Sequence, residues 1–291
     1  MRGVVAAGFF DGVHLGHRGI LDGADCALTF RNHPIAVLHP DLAPPLLMSY
    51  EEREAAIRSC GVKEVVALEF TPALAATSAE EFARKWLADA ATVRCGGNWR
   101  FGAGGRGDAN LLRAMGVHVE VAPYSMFGGS RISSTRIREA IAEGDMPLAA
   151  GMLGRPWTVT GEVFPGKGLG RGLGFPTLNI RPDAALQRPP RGVYEVEMCS
   201  RRAVANWGVA PTMGGDAWRE GVLEVHFDGA PPSDAPAPGG RAKVAILRFI
   251  RPERRFDSVD ELKAAMAADC AAVFGIMTNC EVLEKAKPID N

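Results

Sequence analysis

Two stretches of this 291-residue chain carry side chains whose types and spacing suit phosphate chemistry. The first is Gly8-Phe9-Phe10-Asp11-Gly12-Val13-His14-Leu15-Gly16-His17. An apolar run enters a glycine-punctuated turn and then a helix, which aims backbone N–H groups and a positive helix end at one point. His14 and His17 stand three apart and share one face of the first helical turn. Gly16 between them leaves room for a nucleotide to approach. Two imidazoles there suit a nucleotide α-phosphate, whose negative charge grows during in-line displacement. The residues alone also allow a chance surface pair or half of a metal site, although no third ligand lies at a suitable spacing.

A later stretch, Ile132-Ser133-Ser134-Thr135-Arg136-Ile137-Arg138, opens another helix with hydroxyl side chains that can cap it and donate to phosphate oxygens. Arg138 offers a planar fork for a pyrophosphate leaving group. The second phosphate-like stretch runs from Gly166-Lys167-Gly168-Leu169-Gly170-Arg171-Gly172 into Gly174-Phe175-Pro176-Thr177-Leu178-Asn179. It is neither a Walker loop nor a dinucleotide fingerprint, since no helix follows it. On an extended segment Thr177 and Asn179 point the same way, and their oxygens are reasonable partners for Mg²⁺. Glu224, taken by itself, reads as a solvent-facing strand carboxylate.

Elements that would hold these residues are legible around them. Strands are predicted at Val4–Ala7, Cys26–Phe30, Glu64–Glu69, Thr92–Gly96 and Val117–Val121. The pairs Ser49 with Glu52 and Ser78 with Glu81 mark helix starts by the capping-box pattern, and Gly61 marks a helix end. Alternating strands and helices predict a parallel α/β sheet with helices on both faces. Helices follow at Ser134–Glu143 and Pro147–Leu153, and the pattern changes after Gly154. Trp157–Val163, Gly192–Met198, Ala203–Trp207, Gly221–Phe227 and Lys243–Phe249 read as strands of an antiparallel barrel or sandwich. Ser258 with Glu261 starts a closing helix on which Leu262, Met266 and Val273 share a face. Two domains are expected, 1–153 and 154–291, with a surface loop at Gly229–Gly240.

The histidine turn together with Ile132–Arg138 resembles the nucleotidylyltransferase superfamily. The Thr177–Asn179 stretch, with Gly192-Val193-Tyr194, Asn206-Trp207-Gly208, Pro211-Thr212 and Leu223-Glu224-Val225-His226, resembles riboflavin kinase. In this order the whole chain is similar to the bacterial bifunctional riboflavin kinase/FAD synthetases. That resemblance implies a Rossmann-like nucleotidylyltransferase sheet followed by a small β-barrel. It implies phosphorylation of riboflavin to FMN by ATP, then adenylylation of FMN to FAD with release of pyrophosphate. Glu224, His14, His17 and Arg138 would be catalytic, and Thr177 and Asn179 would hold Mg²⁺. ATP would meet Gly8, Phe9, Phe10, Gly16, Ser133, Ser134 and Thr135 in one half, and Gly166, Lys167, Gly168, Gly170 and Arg171 in the other. Flavin would meet Asn98, Arg100, Phe101 and Asn206. The chain departs from the family in the short span from His17 to Cys26 and in Asn98, where a carboxylate is usual. Rival readings are a kinase with a degenerate adenylyltransferase half, a flavin-binding regulator without turnover, and a cytidylyltransferase-like enzyme with an unrelated barrel.

Bulk properties narrow the field. A net charge of −1 argues against a nucleic-acid coat or a polybasic membrane anchor. Six cysteines without C-x-x-C spacing fit free thiols better than disulfides or zinc. No apolar run has the length of a membrane span. A cytoplasmic enzyme acting on small molecules is expected, with no nucleic-acid or membrane partner.

Overall fold

The computed structural model describes residues 3–166, 177–208 and 221–275. Contacts divide the chain into two units, one mainly Met1–Ala142 with Leu148–Pro156, the other mainly Trp157–Ala184 and Arg188–Asn291.

The first unit is built on five parallel strands, β1 (Val4–Ala7), β2 (Cys26–Phe30), β3 (Glu64–Leu68), β4 (Thr92–Gly96) and β5 (Val119–Ala122), in the order β3-β2-β1-β4-β5. Alternation along the buried strands supplies two cores, one on each face. Val5, Ala7, Cys26, Leu28 and Val93 pack with Phe82, Leu87 and Leu112. Ala6 and Ala27 pack on the opposite face with Ile20, Leu21, Met48 and Ile57. The covering helices are α1 (Leu15–Leu21), α2 (Pro34–Leu38), α3 (Tyr50–Ser59), α4 (Pro72–Ala75), α5 (Ala79–Trp86) and α6 (Ala109–Ala114). The expected cap at α3 is complete: Ser49 accepts from Glu52 N–H and Glu52 reaches back to Ser49 N–H. Gly61 follows with φ of +90°, the left-handed residue that ends the helix. A small hairpin of β6 (Met126–Phe127) and β7 (Ser130–Arg131) precedes α7 (Ser134–Glu143), and α8 (Met146–Leu153) follows.

Strand order reverses between β1 and β4, whose carboxyl ends are Ala7 and Gly96. In an open parallel sheet that crevice is where ligands bind. The connections leaving these two strands carry the histidine turn and the Asn98–Phe101 segment.

The second unit is a closed barrel of six strands, which settles the choice between barrel and sandwich. These are β8 (Trp157–Phe164), β9 (Thr177–Pro182), β10 (Gly192–Met198), β11 (Arg201–Gly208), β12 (Val222–Phe227) and β13 (Arg241–Pro252), closing in the order β10-β11-β12-β9-β8-β13. The sixth is β9: the Thr177–Asn179 segment, expected only to be extended, is a full barrel strand. Inward positions such as Ala203, Ala205, Leu223, Val225 and Phe227 are fully buried. The closing helix α9 (Val259–Phe274) starts at Ser258, whose hydroxyl accepts from Glu261 N–H. Val273 packs outside the barrel against Val193 and Val204. Leu262 and Met266, on the same helix, line a cleft against that outer face.

Candidate active sites

The first cleft opens at the β1/β4 crest and has a volume of about 390 Å³. The turn that forms its floor is strained: Phe10 and Val13 take φ of +59° and +39°, which non-glycine residues rarely adopt. The Phe10 ring is buried against Gly8, where a Cβ would lie 2.9 Å from it, and meets His17 edge-on. His14 caps α1, its Nδ1 accepting from His17 N–H at 3.2 Å. The two imidazoles are stacked, with centroids 3.5 Å apart and planes 15° from parallel. The shared face expected from the spacing is therefore real. Gly16 matters because a side chain there would press on the His14 ring.

Burial holds these rings neutral. Desolvation, opposed by a hydrogen bond and assisted by Arg131 and Arg155, brings His14 down to about 4. Desolvation, with His14 and Arg53 nearby, lowers His17 well below the ordinary imidazole range. His33, also in the cleft, is lowered to about 4 by burial and then by Arg138 and Arg53. Each neutral imidazole keeps one N–H that can donate to an anion from a fixed position, as a preorganised polar environment requires. A pH dependence follows. A histidine depressed in the folded state binds protons only on unfolding, so its stabilisation is complete above about pH 6.5 and is lost as pH falls toward 4. For buried His14 the loss is roughly 3 kcal/mol by pH 4. Melting curves of the native chain should show the first unit losing stability across this window, and His14→Asn should flatten the slope. An unchanged slope would contradict the buried neutral state.

Arg138 stands on α7 at the edge of this cleft. Its Nη2 pairs with buried Asp11 at 2.5 Å and its Nε donates to Pro45 O at 2.6 Å. The edge of the fork containing Nε and Nη2 is thus spent on the protein, and Nη1 has no hydrogen-bond partner among the described residues. Asp11 also accepts from Leu47 N–H. Burial raises its pKa, while Arg138, Leu47 N–H and Arg53 pull it back. Ser133 caps α7 by accepting from Arg136 N–H, and Ser134 donates to Asp11 O. The two stretches expected to cooperate are therefore tied together by Asp11, a residue of the histidine turn itself. Gly8, Phe9, Gly16, Ser133, Ser134, Thr135, Asn98 and Arg100 all line the cleft. Phe101 does not: it is buried in the core and supports Trp99, with ring centroids 4.7 Å apart. Trp99 and Tyr124 are the aromatic rings that reach the cleft from this side. Asn98 accepts from Arg131, whose guanidinium lies over Tyr124.

The second cleft, about 170 Å³, lies between the outer barrel face and α9. Strand register places Asn206, Glu224 and Asn179 side by side across β11, β12 and β9, and directly paired residues share a face. Val204, His226 and Thr177 form the adjacent row. Glu224 keeps solvent access, yet the surrounding protein raises its pKa, with Glu253 adding to the effect. Asn179 is buried, and its amide rests against Gly166, where a Cβ would fall 2.1 Å from Nδ2. Arg251 is fixed by a two-pronged pair with Asp269 of α9, at 2.8 and 2.6 Å. Lys167, Gly168, Gly170 and Arg171 lie outside the described residues, as does the Pro211-Thr212 segment. Glu253 and Arg254, just past the end of β13, and Cys270 of α9 also line the cleft, reaching it from distant sequence without a local motif to mark them.

Comparison with known proteins follows this division. A family model for FAD synthetase matches residues 1–136, and one for riboflavin kinase matches residues 153–276. The bifunctional riboflavin kinase/FMN adenylyltransferase of Escherichia coli K12 is 36% identical, over 91% of this chain and 90% of that protein. The chain belongs to this bifunctional family. The Pseudomonas fluorescens relative is likewise 36% identical, over 93% of this chain and 92% of its own. A crystal structure from Streptococcus pneumoniae, described as a macrolide-efflux protein, superposes with a TM-score of 0.81 at 30% identity, covering 95% and 94% of the two chains. What that likeness carries is the fold. No helix among the described residues is long and apolar enough to cross a membrane. The histidine cleft thus falls in the FAD-synthetase half and the Glu224 cleft in the riboflavin-kinase half, with riboflavin, FMN, FAD and ATP as the substrates and products of such enzymes.

Proposed function

We propose that the Glu224 cleft phosphorylates riboflavin and that the histidine cleft adenylylates the FMN so made, in the cytoplasm. The observation that carries this reading is the Asn179–Glu224–Asn206 row in one half of a chain whose other half lines one cleft with the stacked His14 and His17 and with the Asp11–Arg138 pair.

In the kinase half, Glu224 accepts the proton of the ribityl 5′-hydroxyl as that oxygen attacks the γ-phosphorus of ATP and the bond to ADP breaks. A carboxylate of raised proton affinity suits that task. Thr177 and Asn179 supply the hard oxygen donors that Mg²⁺ prefers, and the Asn179 amide occupies the space that a side chain at position 166 would fill. When bound, Mg²⁺ would neutralise developing charge on the phosphates, taking its remaining ligands from them and from water. Asn206 borders the flavin side and Gly166 the nucleotide side; Lys167, Gly168, Gly170 and Arg171, outside the described residues, are assigned to ATP by the family resemblance. Gly166→Ala should displace the Asn179 amide and cut FMN formation by about 10- to 100-fold. A rate equal to native, measured at saturating Mg²⁺ and ATP, would remove Asn179 from the site.

In the synthetase half, a phosphate oxygen of FMN attacks the α-phosphorus of ATP and the bond to pyrophosphate breaks. The attacking oxygen is already ionised, so no base is required. His14 and His17 donate to the α-phosphate, Arg138 Nη1 holds the departing pyrophosphate, and Ser133, Ser134 and Thr135 flank it. Gly8, Phe9, Phe10 and Gly16 form the ATP side of the cleft. Asn98 and Arg100 meet the flavin directly, and Phe101 acts through Trp99. Supplying FMN and ATP directly tests this half: one pyrophosphate should be released per FAD formed. Failure to form FAD would sink it.

A further inference from the structure

A guanidinium lies beneath the floor of the first cleft without entering it. Arg53, on α3, is 1% exposed. Its Nη2 donates to Phe30 O at 2.6 Å and to Arg31 O at 2.9 Å, while Nε and Nη1 meet no hydrogen-bond partner among the described residues. Its Cζ sits 4.0 Å from the centroid of the Phe9 ring. Phe9 lines the cleft, meets His33 edge-on at 4.6 Å, and has its carbonyl held by the Thr29 hydroxyl at 3.1 Å. Two carbonyls and the rings of Phe9 and, at 5.7 Å, Tyr50 orient the cation but do not cancel its charge. Burying a cation without a directly paired carboxylate is costly. Burial lowers Arg53 to about 10, so it remains protonated at neutral pH. Its charge reaches the cleft, where it disfavours protonation of His17 and His33 and favours the Asp11 carboxylate.

We propose that Arg53 is a positioning residue for adenylyl transfer, a buried cation that holds Phe9 from below and lends the cleft floor a positive field for the nucleotide's phosphates. The proposal rests on reading the first cleft as the adenylyl-transfer site. A charge that acts at a distance makes a specific demand: phosphate affinity should depend on it, and affinity for an uncharged nucleoside should not.

Pyrophosphorolysis of FAD to FMN and ATP tests this, because pyrophosphate is a substrate of that half-reaction alone. Arg53→Met should raise the KM for pyrophosphate about tenfold or more with kcat nearly unchanged. Inhibition of FAD synthesis by adenosine should be unaffected, and the melting temperature of the free protein should not fall. Arg53→Lys, which keeps the charge, should restore most of the affinity, and it decides the matter if the Met variant does not fold. An unchanged pyrophosphate KM in Arg53→Met, an equal loss of adenosine affinity, or a Lys variant as impaired as Met would each overturn the Arg53 proposal while leaving the cleft assignment intact. Absence of pyrophosphorolysis by the native chain would overturn both.

Discussion

His17→Ala should lower conversion of FMN to FAD by about 10²- to 10³-fold while riboflavin still becomes FMN at the native rate. The size follows from what His17 is in this fold. It is a neutral donor whose ring is fixed by stacking on His14 and by the edge of Phe10, so it loses nothing to reorganisation when charge develops on the α-phosphate. Alanine removes that donor and also frees the His14 ring. Because the imidazole supplies hydrogen bonding and not proton transfer, kcat should fall more than KM rises. Flavin chromatography with supplied FMN gives the first rate, and with riboflavin the second. Loss of both activities from a folded variant would refute the separation of the sites.

Glu224→Ala should do the opposite. Formation of FMN should fall by about 10²- to 10⁴-fold, the range for removal of a general base, and supplied FMN should still become FAD. Gln at the same position separates chemistry from shape, since it preserves the row with Asn179 and Asn206 but cannot accept the hydroxyl proton. It should be as inactive as Ala. The native pH profile carries the same information. With the Glu224 pKa raised by the surrounding protein and by Glu253, kinase activity should decline on the acid side sooner than for an ordinary glutamate. A Gln variant with near-native kcat would show that the proton leaves by another route.

Much of this was legible in the sequence, for identifiable reasons. The capping pair Ser49 and Glu52, the helix-ending Gly61 and the largely buried apolar runs of β1 and β2 are local signals, and local physics produced the elements they announce. The three-residue spacing of His14 and His17 gave their shared face, and the two-residue spacing of Thr177 and Asn179 gave theirs. Long-range pairing was not legible. Nothing near Glu224 announces that Asn179 and Asn206 flank it, because β-register joins residues far apart in sequence. Asp11 was visible as part of a motif, but its pairing with Arg138 across 127 positions depends on the packing of α7. Arg53 reads in sequence as one more charge on an amphipathic helix; only its burial under Phe9 distinguishes it. Phe101 was assigned to the flavin by its motif, whereas the fold turns its ring into the core and brings Trp99 to the cleft.

That two chemistries reside in one chain is tested most directly by following both phosphates of FAD. The native protein is incubated with riboflavin, Mg²⁺ and ATP labelled distinguishably at its α- and γ-phosphorus, and the flavins are separated over time. FMN should appear first, carrying the γ-label alone. FAD should follow, carrying one γ-label in its FMN phosphate and one α-label in its AMP phosphate. γ-Labelled FMN that never gains the α-label, or riboflavin left unlabelled throughout, would contradict the account.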